Sequence, residues 1–249
     1  MTEKLREIAE KIADAQNLVV LTGAGVSTAS GIPDFRSSEG LWSKDFKRED
    51  YMSNHYFFYD PVDFWLKYKQ IFQVKLLKQY EPNVVHQFIK ELETEERQVT
   101  VITQNVDGLH EKAGSSKVIE YHGTLDKANC PSCRQSYSMD YVLDYDPPKC
   151  QTCKAILKPN VVLFGDLITA HDESEALLDQ ADCLLVLGTS LQVTPFSFLP
   201  DYSRQRKTPS VLMNKESTIK DYVFDEVLLG DLTEWIPKLQ TEVNKISSS

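Results

Sequence analysis

Leu18-Val19-Val20-Leu21 is an uninterrupted apolar run that ends at Thr22-Gly23-Ala24-Gly25-Val26-Ser27. A strand delivered into glycines ahead of a helix lets backbone N–H groups approach a pyrophosphate, helped by the positive end of the helix dipole. A plain tight turn accounts for Gly-x-Gly nearly as well. The loop also departs from the usual dinucleotide fingerprint. Thr28 stands where a third glycine would, and no second strand follows with a ribose-binding acid about twenty residues on. Ordinary hydride-transfer dehydrogenases are therefore disfavoured. The chain continues instead as Ser30-Gly31-Ile32-Pro33-Asp34-Phe35-Arg36-Ser37. An aromatic, an acid and a base in such a loop suit a cover over a bound ligand.

Short apolar runs alternate with helical periodicity along the chain, which predicts an α/β domain with a mostly parallel sheet. Strands are expected at Leu18 to Leu21, Val99 to Thr103, Val118 to Tyr121, Cys183 to Leu187, Ser210 to Met213 and Val227 to Leu229. Helices are expected at Thr2 to Ala15, Pro61 to Gln79, Asn83 to Glu93, Asp172 to Gln180 and Thr233 to Leu239. Two stretches interrupt the alternation. Leu41 to Tyr80 is rich in aromatics and reads as a helical insert; Asp126 to Lys158 holds four of the five cysteines.

Those four form Cys130-Pro131-Ser132-Cys133 and Cys150-Gln151-Thr152-Cys153, two pairs separated by 16 residues. Each pair offers two thiolates from one tight turn, and two such turns close a tetrahedral four-cysteine zinc site. A redox pair is the alternative, but two matched pairs in one small module weigh against it. With four protein ligands the zinc has no open position, so its expected role is structural. Cys183, inside a strand, reads as a small buried hydrophobe.

Val101-Ile102-Thr103 delivers Gln104-Asn105-Val106-Asp107-Gly108-Leu109-His110 to a strand's carboxyl end, where open α/β sheets bind ligands. Its amides and carboxylate can serve a carboxamide and ribose hydroxyls, or simply cap a helix. Tyr121-His122-Gly123 ends the next strand, and a histidine there can be a general base. The other four histidines read as structural: His55 and His171 in loops, His86 on a helix face, His110 at a helix start.

Acidic residues outnumber basic ones 37 to 27, a net charge of −10. That argues against non-specific nucleic-acid binding, which needs clustered cations. No apolar run approaches the roughly 18 residues of a membrane span, and the charged N-terminus is no signal peptide. A soluble protein of a reducing cytoplasm is expected.

Gly23-Ala24-Gly25-Val26-Ser27 followed by Gly31-Ile32-Pro33-Asp34-Phe35-Arg36 resembles the opening motif of the sirtuins, in a compact, bacterial-like form. Gln104 to His110 resembles the family's nicotinamide-side segment, and His122-Gly123 its catalytic His-Gly. Val162-Leu163-Phe164-Gly165 resembles the segment that pairs with substrate peptide as an added strand, although Asp166 stands where the family commonly has Glu. Gly188-Thr189-Ser190 resembles its second phosphate and ribose loop, Asn214 its adenosine-ribose contact, and Asp231-Leu232 its adenine-side loop.

The resemblance implies a Rossmann-like NAD-binding domain of residues 1–40, 81–125 and 159–249. A smaller lobe would combine a helical insert (41–80) with a four-cysteine zinc module (126–158). It implies NAD-dependent removal of acyl groups from lysines of protein or peptide partners, by a monomer. NAD would be held by Gly23, Ala24, Gly25, Ser27, Ile32, Asp34, Phe35, Arg36, Gln104, Asn105, Asp107 and the three later loops. His122 would be the base, and Phe35 would shield the reacting sugar from water. The family's succinyl- and malonyl-removing members carry a Tyr and, three residues on, an Arg. Here Tyr68 is matched but Ile71 is not, so neutral acyl groups are expected. Mono-ADP-ribosyl transfer, NAD hydrolysis and a non-catalytic NAD-binding module remain the alternatives.

Overall fold

The computed structural model describes residues 2–34, 48–77 and 80–247. Its main sheet has six strands: β1 (Asn17–Thr22), β2 (Gln98–Thr103), β3 (Val118–Glu120), β7 (Cys183–Leu187), β8 (Ser210–Asn214) and β9 (Glu226–Leu229). Their order is β3-β2-β1-β7-β8-β9, and every neighbouring pair is parallel. The chain first builds outward from β1 through β2 to β3, then returns to lay β7 on the other side of β1. The order thus reverses between β1 and β7, a switch point at which the loops leaving the two strands diverge and open a crevice.

Alternation along the strands sends side chains to opposite faces. Leu18, Val20, Leu185 and Leu187 enter the core under α1 (Thr2–Ala13), α5 (Val84–Glu91) and α10 (Leu232–Ser247). Val19, Leu21, Leu184 and Val186 enter the core shared with Leu178 of α8 (His171–Leu178) and Leu199 of α9 (Leu199–Arg206). Cys183 is fully buried, and desolvation pushes its thiol up to about 12, so it does behave as a small hydrophobe.

All six expected strands form. His110 lies in the short helix α6 (Leu109–Lys112), at its start as expected. Other helices depart from expectation in three ways. α10 runs past Leu239 to Ser247, because Val243 continues the buried series Leu232, Ile236, Leu239. α9 has no counterpart among the expected helices; only Leu199, Pro200 and Ser203 of its residues are buried, too faint an apolar stripe to read. His55 and His171 lie in helices, α3 (Asn54–Tyr59) and α8, not in loops.

The small lobe has its own core. α2 (Arg48–Tyr51), α3 and α4 (Pro61–Leu77) pack on a three-stranded antiparallel sheet of β4 (Lys127–Asn129), β5 (Ser136–Ser138) and β6 (Lys158–Pro159), with α7 (Met139–Leu143) alongside. Phe57, Phe64, Trp65 and Phe72 of the insert share that core with Ala128, Tyr137, Cys150 and Leu157. The Trp65 indole N–H donates to the Leu157 carbonyl at 2.7 Å. Residues 160–166, directly after β6, belong to neither sheet and form a loop with one parallel bridge, Ser53 to Phe164. Among the described residues no helix is long and apolar enough to cross a membrane.

Candidate active site

The carboxyl ends of β1 and β7 are in register, Thr22 opposite Leu187, so their outgoing loops emerge side by side. A Cβ on Gly25 would lie 2.7 Å from the Gly188 carbonyl oxygen, and one on Gly188 would lie 2.6 Å from Val26 N. Gly23 N–H donates to the Leu187 carbonyl at 3.2 Å and Gly25 N–H to the Gly188 carbonyl at 2.9 Å. The two glycine N–H groups are therefore spent between loops. What the glycines provide is close approach of backbone to backbone. The following turn, Ala24–Ser30, is a 3-10 helix ended by Gly31 in the left-handed region (φ 84°), which corrects the expectation of an α-helical dipole here.

Behind this loop lies a buried polar network. His86 Nδ1 accepts from Asn83 N–H at 3.3 Å, so its proton sits on Nε2, 3.4 Å from Ser27 Oγ. Ser27 Oγ–H donates to Asp107 Oδ2 at 2.8 Å and accepts from Asn105 Nδ2 at 3.0 Å. Thr22 donates to Thr103 at 2.8 Å and so accepts from His110 Nε2 at 2.9 Å. Burial pulls His86 down to about 4, against the pull of Asp107, and His110 to about 3, with His86 adding to the effect. Both rings are neutral at pH 7. Asn83 also donates to the Val26 carbonyl at 2.8 Å and to Ser30 Oγ at 2.9 Å, a role in shaping the loop that sequence reading missed.

His122 lines the cleft with its Nδ1 3.2 Å from the Gln104 carbonyl oxygen. A carbonyl only accepts, so Nδ1 carries the hydrogen and Nε2 is the basic atom. Desolvation lowers the ring's pKa below the usual histidine value, partly offset by the Gln104 bond. Tyr121 packs edge-on against the ring at 5.3 Å and is itself tied to His171 Nδ1 at 2.6 Å. The His122 carbonyl accepts from Val162 N–H at 2.8 Å, joining the histidine loop to the extended segment after β6.

These loops enclose a cleft of about 1220 Å³. Of the residues singled out from sequence, Gly23, Ala24, Gly25, Ile32, Asp34, Gln104, Asn105, His122, Val162, Leu163, Phe164, Gly188, Thr189, Ser190, Asn214, Asp231 and Leu232 line it. Ser27 and Asp107 lie behind its wall, in the network that holds Asn105. Gly165 forms the turn beside the cleft with φ 87° and is not among the lining residues. Tyr68 is also off the lining: it is fully buried in the small-lobe core, its hydroxyl without a partner among the described residues. Phe35 and Arg36 lie outside the described residues. Lys215, Glu216 and Thr233 line the cleft beyond the named set, and follow directly on Asn214 at the end of β8 and Leu232 at the start of α10. Met52 and Phe72 line it from the insert, where only the aromatic composition hinted at them.

The four module cysteines bring their sulfurs within 4.8 Å of one another. Cys130–Cys153, Cys133–Cys150 and Cys133–Cys153 are 3.3, 3.5 and 3.8 Å apart. Zinc–sulfur bonds of about 2.3 Å place tetrahedral sulfurs about 3.8 Å apart, so the set fits zinc. The charge pattern agrees. Cys153 N–H, then the Tyr137 hydroxyl, lower Cys150 to about 5. Gln135 N–H favours the Cys133 thiolate, yet neighbouring sulfurs of Cys130 and Cys150 push it up to about 12. Four thiolates this close need a dication among them.

The Sir2 family model matches residues 23–195. NAD-dependent protein deacetylase 2 of Geobacillus kaustophilus (strain HTA426) is 42% identical over 243 residues, covering 97% of this chain and 98% of its own length. NAD-dependent protein deacetylase of Bacillus subtilis (strain 168) is 45% identical over 234 residues, covering 91% and 95%. A solved chain described under the mechanism and regulation of Sir2 enzymes is similar with a TM-score of 0.87 and 35% identity, covering 99% of this chain and 100% of that one. This chain belongs to the Sir2 family.

The buried histidines set an acid limit on stability. Their folded pKa values lie below the roughly 6.5 of an unfolded histidine. The stability they contribute is fully present above about pH 6.5 and is lost as pH falls toward about 4 for His86 and about 3 for His110. Urea unfolding at pH 7 and pH 5 should show a loss on the order of 1–2 kcal/mol per histidine. His86→Asn should shrink that loss, and a variant that loses as much stability as the wild type between the two pH values would refute the assignment of a neutral buried ring. Purified protein should contain close to one zinc per chain, and Cys150→Ala should lose it and destabilise the small lobe. Metal analysis returning well under one zinc in the wild type would remove the four-cysteine site.

Proposed function

We infer that this chain removes acetyl and other neutral acyl groups from protein lysines, consuming NAD and releasing nicotinamide and O-acyl-ADP-ribose. One juxtaposition carries the reading. His122, basic at Nε2, shares a cleft with the paired glycine loops and with the extended segment Val162–Phe164. The relatives are named NAD-dependent protein deacetylases. Similar solved chains include a Sir2 variant with a deacetylated p53 peptide and 3′-O-acetyl ADP-ribose, and Sir2Tm bound to a propionylated peptide. Nothing observed favours ADP-ribosyl transfer to protein instead.

In this proposal Gly23, Ala24, Gly25, Gly188, Thr189 and Ser190 flank the phosphates of NAD. Asn214, Asp231 and Leu232 meet the adenosine end. Ile32, Asp34, Gln104 and Asn105 meet the nicotinamide end, with Ser27 and Asp107 orienting the Asn105 amide from behind. Phe35 and Arg36 are assigned to the cover from sequence alone. Bound NAD supplies the sugar carbon that receives the acyl oxygen once nicotinamide leaves. His122 Nε2 accepts the proton of a hydroxyl presented to it, while the Gln104 carbonyl keeps the ring in the accepting tautomer.

Phe164 N–H and C=O are engaged by Met52 and Asn54. An acyl-lysine peptide is therefore assigned to the Val162 carbonyl and Gly165 N–H, which have no backbone partner among the described residues. Residues 1–40, 81–125 and 159–249 then act as the NAD-binding domain, with 41–80 and 126–158 as the small lobe. The protein is proposed to work as a cytoplasmic monomer without nucleic acid.

His122→Ala should lower kcat by about 10²–10⁴-fold while NAD and peptide still bind. Product release followed by mass spectrometry decides this; a variant at wild-type turnover refutes the base. The small-lobe end of the cleft is walled by Met52, Phe72, Val106, Val161 and Leu163, all apolar, and Tyr68 and Ile71 lie buried behind it. A succinyl carboxylate would have no cationic partner among these residues. Leaving it unpaired costs several kcal/mol, roughly a thousandfold in binding. Acetyl peptides should accordingly far exceed matched succinyl peptides in kcat/KM, and equal efficiency would refute the neutral-acyl assignment.

A further inference from the structure

Residues 160–166 are held in place by backbone hydrogen bonds although neither sheet includes them. Val162 N–H is bound to the His122 carbonyl, and Phe164 bonds Met52 and Asn54 through both its backbone groups. Asp166 N–H closes a turn onto the Leu163 carbonyl at 2.9 Å, with Gly165 at φ 87° supplying the positive angle that such a turn needs. The turn brings the Asp166 carboxylate back over its own segment. There it accepts the Leu163 N–H at 2.9 Å, together with Lys158 Nζ and Asn54 Nδ2.

We propose that Asp166 is the positioning residue of the peptide-receiving segment, clasping it between the helical insert and the zinc-bearing sheet. The proposal rests on the deacylase reading above. Its three partners come from three separate places: Asn54 opens α3, Lys158 lies in β6, and Leu163 belongs to the segment itself. Lys158 pairs in β6 with Asn129 of β4, the residue before the metal-ligating Cys130. The clasp therefore ties the peptide segment to the zinc module through one side chain and one strand pair. No other group satisfies the Leu163 amide among the described residues. Burial alone would raise the Asp166 pKa. Lys158, Asn54 and the Leu163 amide together outweigh it and hold the carboxyl below its usual value, so it is ionised throughout the neutral range.

The chemistry separates the possible substitutions. Asn at 166 keeps the shape but loses the charge, and its amide nitrogen would face either the Asn54 amide or the two donors Lys158 Nζ and Leu163 N–H. Glu keeps the charge with one methylene more. Asp166→Asn should raise the KM for an acetyl-lysine peptide roughly tenfold, with kcat at saturating peptide and the KM for NAD within about twofold. Lys158→Met should raise the peptide KM similarly, and the double variant should be no worse than either single one. Asp166→Glu should recover most of the affinity. Hydrogen exchange gives a readout independent of turnover: residues 161–166 should lose protection in Asp166→Asn while β1 and β7 keep theirs.

Wild type that fails to deacylate the peptide would remove the functional reading and leave the exchange result to judge the clasp. Either of two results overturns the clasp itself. One is a Lys158→Met protein with wild-type peptide KM; the other is Asp166→Asn with unchanged exchange at 161–166. An equal fall in kcat with unchanged peptide KM would also overturn it, because a loosened peptide segment must weaken peptide binding.

Discussion

The contact between Gly25 and Gly188 is the constraint on which the cleft depends. β1 and β7 are hydrogen-bonded neighbours at the switch point, so the loops leaving them start only one strand spacing apart. Two loops with side chains would be forced away from each other at once. Here backbone meets backbone, with 2.7 Å between a virtual Gly25 Cβ and the Gly188 oxygen. The loops stay in contact for the first residues and separate only afterwards, which seals the floor of the crevice while its mouth opens. The glycine N–H groups serve this seal. Any anion held here has to be met by groups other than these two N–H groups; Ala24 on one side and Thr189 and Ser190 on the other line the cleft beside them.

A second consequence concerns direction. Asp107 can only accept, so the Ser27 hydroxyl must donate to it, and Ser27 is left to accept from His86 Nε2 and Asn105 Nδ2. The Asn105 amide is thereby oriented without ambiguity: its nitrogen is tied back, and its oxygen is the end available to the cleft. Such a buried network is costly to desolvate, and it is tolerated because nearly every member is satisfied. The exception is His110 Nδ1, which has no partner among the described residues. Burial, with His86 beside the ring, makes it resist protonation, and Nδ1 is the atom a second proton would have to take. Adding a proton there would place a charge in a site with nothing to receive it.

The parts of this arrangement that could be read from sequence are those with a one-dimensional signature. Strands such as Leu18–Leu21 and Cys183–Leu187 are unbroken apolar runs, and cysteine spacing reports a tetrahedral site directly. His122 is singled out by its strand-end position and its resemblance to the family's His-Gly, and it does line the cleft. What could not be read depends on which distant residues meet. Asn83, expected as the first residue of a helix, caps that helix, and its amide also holds Val26 and Ser30. Tyr68 has the spacing of an acyl-pocket residue, yet helix α4 turns it into the aromatic stack of Phe64, Trp65 and Phe72. α9 escaped because its buried face is short and partly polar. The glycine loop was placed correctly and its N–H groups were not, because their partners lie far along the chain, on β7 and its loop.

The histidine loop and residues 160–162 come from different parts of the chain and are nevertheless held together. Gly123 has φ 73°, and a Cβ on it would lie 2.0 Å from the Asn160 carbonyl oxygen. The residue after His122 therefore has to be glycine for the segment to pass this close. On the two flanks of that crossing, the Val162 N–H reaches the His122 carbonyl and the Asn160 N–H reaches the Lys127 carbonyl. Residues 160–162 are consequently fixed to His122 at one point and to β4 of the small-lobe sheet at the next. A shift of the small lobe would move residues 160–162 relative to His122 only by breaking one of these bonds. Reaction geometry is sensitive at the level of about 1 Å, and that is the scale at which hydrogen bonds on both flanks of the crossing hold the two parts together.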